Sequence, residues 1–150
     1  MSALRAALAV IALGSLFAQT VIVVVFGDAM LRGTTGPLDL LHAAAALVVL
    51  GCLQVALVAI WALLSMVRRE AIFDERAFRW VPVIAGAGLV AALVVGAVCA
   101  QVGELDDAPG LILLGAGIWI AGIAFALLMT VMLGLLRKAT ALRRELEQVV

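Results

Sequence analysis

Residues 40–67, LLHAAAALVVLGCLQVALVAIWALLSMV, form a run of 28 residues between Asp39 and Arg68 that carries no charge apart from the titratable His42. A helix needs about 20 apolar residues to cross the hydrocarbon core of a bilayer. Because no water reaches that core, irregular backbone facing lipid would leave its polar groups unpaired. The run therefore predicts a membrane-spanning helix.

Three more runs without a charged residue lie along the 150-residue chain, at residues 6–27, 80–103 and 108–136. The four runs predict spans at Ala6–Phe26, Leu41–Val67, Trp80–Val102 and Leu111–Leu136. The chain is 67% hydrophobic and 13% charged, whereas a soluble domain has roughly 25% charged residues. These figures exclude a water-soluble enzyme. They predict a single all-α domain over residues 1–150, an integral membrane four-helix bundle whose first span is retained as a signal-anchor.

The distribution of basic residues predicts the orientation of the bundle. Nine of the ten lysines and arginines lie in the N-terminal segment, the loop at residues 68–79 and the tail at residues 137–150, and the tenth is Arg32. Short loops rich in Lys and Arg stay on the cytoplasmic side of a membrane. We therefore expect both termini and the middle loop to be cytoplasmic.

Polar side chains within the predicted spans are few, and Gln19 and Gln54 are the clearest. Buried amides in lipid seek hydrogen-bond partners, so both residues are candidate intramembrane polar contacts. Two interpretations stay open: a hydrogen bond that holds two helices together, or a contact for a ligand such as a quinone-like headgroup. No Asp, Glu, Lys or Arg lies deep in a span, which argues against an ion-coupled pump.

Small residues recur at every fourth position of the last two spans, which predicts close helix packing. They are Gly88, Ala92, Gly96 and Ala100 in the third span, and Gly122, Ala126, Thr130 and Gly134 in the fourth. The alternative is that these stripes line a substrate path.

His42 and five carboxylates fall in or beside the predicted outer loops: Asp28, Asp39, Glu104, Asp106 and Asp107. One interpretation is an interfacial histidine at a helix start, and the other is an outer cation site. A single histidine with scattered carboxylates lacks the ligand spacing of a metal site. Cys52 and Cys99 lie in apolar runs, where a thiol behaves as a small hydrophobe. We predict no metal, no cofactor and no catalytic residue.

The middle loop and the tail carry the candidate partner-binding residues: Phe73, Arg76, Phe78, Arg79, Leu142 and Leu146. Asp74 suits a helix N-cap, with Phe73 and Phe78 spaced as a hydrophobic staple. In the tail, apolar residues repeat at steps of four and three, as in a coiled coil; they are Leu135, Ala139, Leu142, Leu146 and Val149. Because no Gly or Pro interrupts residues 135–150, we expect the tail to extend the fourth helix. An amphipathic helix lying on anionic headgroups is the alternative.

Two stretches of this sequence resemble a known family. Residues 67–81, VRREAIFDERAFRWV, lead into residues 83–86, VIAG, and residues 142–150, LRRELEQVV, close the chain. They resemble the middle loop and the tail of the bacterial domain of unknown function 2975 family, the YoaS-like four-span membrane proteins. The resemblance implies a bacterial inner-membrane protein without established activity. Genes of the family often neighbour one for a small helix-turn-helix regulator, which implies a regulatory pair.

These observations favour a non-enzymatic protein of the bacterial inner membrane. It would act as a regulatory or scaffold partner that presents its cytoplasmic loop and tail to a cytosolic regulator, without binding nucleic acid itself. The tail is also a candidate surface for contact between two copies of the chain in a homo-oligomer. The alternatives are a transport or resistance protein for a small apolar compound, and a membrane-anchor subunit of a larger complex.

Overall fold

The structure is a computed structural model that describes residues 2–67 and 80–149, with side chains over residues 3–65 and 80–142. Its elements are four helices: α1 (Ser2–Leu31), α2 (Pro37–Val67), α3 (Trp80–Leu105) and α4 (Pro109–Val149). All four are long and apolar enough to cross a membrane, and these two stretches contain no strand. The predicted all-α, four-span membrane fold is confirmed.

The surface of this fold is apolar. Val10, Phe17 and Ile120 expose 68%, 72% and 71% of their area, and the small buried core consists of Leu8, Ala43, Leu57, Ala59 and Ala85. A soluble monomer rarely exposes a large contiguous apolar patch. Such an inside-out distribution is stable where lipid surrounds the helices, because acyl chains solvate these side chains.

Helix α1 ends later than the predicted span, at Leu31 and not at Phe26. Asp28 and Arg32 form an exposed ion pair one turn apart, 2.8 Å between Oδ2 and Nη2, so charge alone does not end the helix. The helix is terminated two residues beyond Leu31 by Gly33, whose φ of 67° is left-handed. There the Thr34 N–H donates to the Ala29 carbonyl at 3.1 Å, the closing hydrogen bond of a Schellman motif.

Helix α2 begins at Pro37, a residue preorganised for the first helical position. The Asp39 carboxylate accepts a hydrogen bond from the Gly36 N–H at 3.0 Å, which is the reciprocal half of a capping box. The connection between α1 and α2 is therefore residues 32–36 alone, shorter than the gap between the predicted spans Ala6–Phe26 and Leu41–Val67.

A second tight turn joins α3 to α4. Asp107 takes a left-handed φ of 51°, and the Ala108 N–H donates to the Gly103 carbonyl at 2.9 Å. We call the end of the bundle that carries residues 32–36 and 106–108 the turn end. The opposite end, which carries both termini, is the terminus end.

Helices α3 and α4 pack most closely, because glycines let their backbones approach. A Cβ added to Gly115 would lie 2.6 Å from the Gly96 carbonyl oxygen, and one added to Gly122 would collide with Ala92. A Cβ added to Gly103 would lie 2.8 Å from Ile112 Cγ1. Each is closer than ordinary van der Waals contact, so this interface has no room for a larger side chain.

The predicted small-residue stripe of α3 lies in this interface, whereas that of α4 does so in part only. Gly122 faces Ala92, but a Cβ added to Gly134 would meet nothing within 4 Å, and Thr130 is exposed. The contact runs from Gly122 toward the turn end through Gly115, and toward the terminus end the ring of Phe125 lies against Gly88. Spacing alone does not show at which height a partner helix crosses.

The other two pairs of helices that are adjacent in the sequence pack less extensively. Helix α2 contacts α3 over a smaller surface, and α1 contacts α2 over the smallest of the three. The α1–α2 seam is therefore the most open of these helix pairs.

Candidate functional site

A cluster of three polar side chains joins α1 to α2 near the midpoints of both helices. The Gln54 amide Nε2 donates to Gln19 Oε1 at 2.9 Å and lies 3.5 Å from the Ser15 hydroxyl oxygen. The hydroxyl of Ser15, which is 6% exposed, donates to the Ala12 carbonyl at 2.9 Å. The structure thus brings together the two glutamines singled out from the sequence.

The cluster leaves two amide atoms unused. Within the described part of the chain, nothing hydrogen-bonds to Gln54 Oε1 or Gln19 Nε2. The bilayer core offers no water to replace a missing partner. The amide pair therefore presents one free acceptor and one free donor at the middle of the membrane.

An apolar cleft of about 270 Å³ extends from this cluster toward the terminus end, between α1 and α2. Its lining residues are Leu8, Ala12, Leu16, Gln54, Leu57, Val58 and Trp61. At its far end the Arg5 guanidinium lies 5.9 Å from the centre of the Trp61 ring, within the range of a cation–π contact.

A shallower groove follows the same seam toward the turn end. It is lined by Leu16, Gln19, Thr20, Val23, Val24 and Leu47. The Thr20 hydroxyl is not free, because it donates to the Leu16 carbonyl at 2.9 Å. The amide pair thus marks the boundary between two openings on one helix seam.

His42 lies beside a third opening, between α2 and α3, together with Cys99. Its Nε2 atom is buried and without a partner in the described residues. Across residues 3–65 and 80–142, whose side chains the structure describes, no three His, Cys, Asp or Glu side chains come together as a metal site. Asp28 and Asp39 are engaged in the ion pair and the cap described above.

The tail continues α4 without a break to Val149. Leu135 is 59% exposed and Leu142 is 62% exposed, so nothing in the described residues covers this end of the predicted seam. The side chain of Leu146, like Phe73, Arg76, Phe78 and Arg79 of the middle loop, lies outside the described residues. The staple expected from Phe73, Asp74 and Phe78 lies outside them too.

Two tryptophan side chains that shape the bundle were not predicted from the sequence. Trp119 crosses from α4 onto Gly96, and its indole Nε1–H donates to the Leu93 carbonyl at 3.0 Å. Trp61 closes the cleft. The sequence does indicate that Trp61 shares a helix face with Gln54 and Leu57, because the three residues follow at steps of three and four.

Comparison with protein families gives one result. The family DUF2975, described as a protein of unknown function, matches residues 6–150. The chain belongs to this family. The resemblance noted in the middle loop and the tail is thus confirmed, and as a DUF2975 member the protein is a multi-pass membrane protein whose family has no assigned activity. Curated proteins and solved structures gave no match to this DUF2975 chain.

Proposed function

We propose that this protein is a non-enzymatic regulatory or scaffold component of the bacterial inner membrane, which presents a helical tail to a cytosolic helix-turn-helix regulator. The observation that carries the proposal is the length of α4. Its 41 residues extend over about 62 Å at about 1.5 Å per residue. The hydrocarbon core is about 30 Å thick and the whole bilayer about 40–45 Å.

The excess length lies at the C-terminal end of α4. The helix begins at Pro109, directly after a three-residue turn at residues 106–108, so little of it can project at the turn end. About 17–22 Å of helix therefore projects beyond the headgroups at the terminus end. Leu142 exposes its side chain there, and the heptad spacing continues to Leu146 and Val149.

A narrow leucine seam on a projecting helix is a surface for another helix. It suits a protein partner better than lipid, because a membrane-lying helix usually has a broad apolar face with Trp or Phe. The regulator as partner follows from the gene neighbourhood that the family resemblance implies. In this proposal the orientation is the predicted one, with both termini cytoplasmic.

Reporter fusions test that orientation. A reporter active only in the periplasm is expected to be active when fused at Thr35 and inactive when fused at Ala71. A reporter that fluoresces only in the cytoplasm should give the opposite result at the same two positions. Periplasmic activity at Ala71 would overturn the orientation and with it the proposed site of partner binding.

The tail is tested by placing charges on its seam. The double substitution Leu142→Asp, Leu146→Asp is expected to reduce capture of the partner roughly a hundredfold. Burying each leucine contributes about 1.5–3 kcal/mol, and each 1.4 kcal/mol is about tenfold. The measurement is co-purification of the full-length protein with the helix-turn-helix protein encoded next to its gene.

The matched control is Ala141→Asp with Gln148→Asp, which adds the same charge off the seam. This control should capture the regulator as the wild type does. The proposal fails if the wild-type chain captures no such regulator, or if the seam variant and the control behave alike.

A further inference from the structure

We propose that the cleft between α1 and α2 binds a compact, neutral, lipid-soluble molecule that carries a hydroxyl group. The hydroxyl is placed at the Gln54 amide, the polar group that lines the cleft, and the hydrocarbon part lies against Leu8, Ala12 and Val58. The inference does not rest on the proposed role of the tail.

The first argument is the unfinished hydrogen bonding of the amide pair. Gln54 Oε1 is a free acceptor and Gln19 Nε2 a free donor among the described residues. Gln54 lines the cleft, whereas Gln19 lines the groove on the other side of the pair. A hydroxyl group donates one hydrogen bond, so an occupant of the cleft that carries a hydroxyl can satisfy Gln54 Oε1. A hydrocarbon chain leaves that oxygen without a donor.

The second argument is the shape and lining of the cleft. Its volume is about 270 Å³ and Gln54 is its one polar lining residue. From Leu8 to Leu16 it runs about 12 Å along α1, at about 1.5 Å per residue. A mostly apolar cavity with one placed polar group is the usual form of a small-molecule site.

The third argument is charge. Arg5 is held over Trp61 at the far end of the cleft, and the lining itself contains no ionisable group. A charged headgroup drawn to the depth of Gln54 would lose its hydration without gaining an ion-pair partner. The occupant that fits this depth is therefore neutral, and a phospholipid is not expected there.

The test uses the full-length protein in phosphatidylcholine nanodiscs and a decyl alcohol that carries a diazirine. After illumination, mass spectrometry should locate the label at Leu8, Ala12 or Val58. Unlabelled decyl alcohol should compete, and decyl methyl ether, which cannot donate a hydrogen bond, should compete about tenfold less well. That factor corresponds to about 1.4 kcal/mol, the order of one hydrogen bond.

Two variants separate the cleft from the lipid-facing surface. Ala12→Phe fills the cleft without altering either glutamine and is expected to abolish the labelling. Val10→Phe adds the same ring on a side chain that is 68% exposed and should leave the labelling unchanged. Gln54→Leu should lower it about tenfold. If that variant does not fold, the labelling of Ala12→Phe still tests whether the molecule binds in the cleft.

Other outcomes overturn the proposal. Label spread evenly over Val10, Leu13 and Phe17 would mean ordinary lipid contact. Equal competition by the ether would mean that hydrocarbon alone is recognised. Displacement by phosphatidylglycerol would mean a phospholipid held at Arg5, and loss of label in discs that hold two copies would mean that a second chain covers the cleft.

Discussion

Replacing Gly115 by leucine is expected to separate α3 from α4 and to cost about 3 kcal/mol or more of the free energy of unfolding. A Cβ at this position would lie 2.6 Å from the Gly96 carbonyl oxygen and 3.3 Å from the Ala100 nitrogen. Both atoms belong to the backbone of α3, which cannot rotate away as a side chain can. The helices must move apart, and the most extensive packing in the bundle is lost with them.

Gly117→Leu is the matched control, since it makes the same change two residues along the same helix. A Cβ at Gly117 meets nothing within 4 Å, so the new side chain projects into lipid and should change stability by less than about 0.5 kcal/mol. The measurement is thermal unfolding in detergent, followed by circular dichroism. Equal melting temperatures for the two variants would contradict the close α3–α4 contact.

Removing the indole of Trp119 is the second large effect, and we expect Trp119→Ala to destabilise the protein by about 2 kcal/mol. Fully buried Trp→Ala changes cost about 3–5 kcal/mol, but Trp119 is 39% exposed, which lowers the figure. The substitution removes the packing of the ring on Gly96 together with the hydrogen bond to the Leu93 carbonyl. Trp119→Phe keeps most of the packing and should lose about 1 kcal/mol, the worth of one hydrogen bond.

A double-mutant cycle distinguishes direct contact from a general loss of packing. Gly96→Ala places its methyl group against the Trp119 ring and should destabilise the wild-type protein. In the Trp119→Ala background the ring is gone, so the same change should cost about 1 kcal/mol less. The relief is partial because the Gly115 carbonyl also lies 2.8 Å from that Cβ. Strictly additive effects would show that the ring does not cover Gly96.

The candidate site was predictable as a set of residues and not as an arrangement. Gln19 and Gln54 stand out because amides are rare in apolar runs. Their hydrogen bond joins residues that are 35 positions apart in the sequence. It therefore depends on the relative height and rotation of α1 and α2. Neither the cleft beside them nor the free amide atoms have a sequence signature, because both arise from side chains of two helices meeting at one angle.

The sequence by itself determined the four membrane helices and their order. Long uncharged runs must become helices in a solvent without hydrogen-bond partners, and this requirement acts on each run alone. The tertiary structure decided which small residues are used: Gly115 and Gly122 of α4 lie against α3, whereas Gly134 and Gly117 do not. The helix ends past the first charged residues have a local cause instead, the caps at Gly33 and Asp39, whose hydrogen bonds join residues three to five positions apart. Packing depends on where two segments meet in space, and the same spacing of glycines is compatible with several crossing heights.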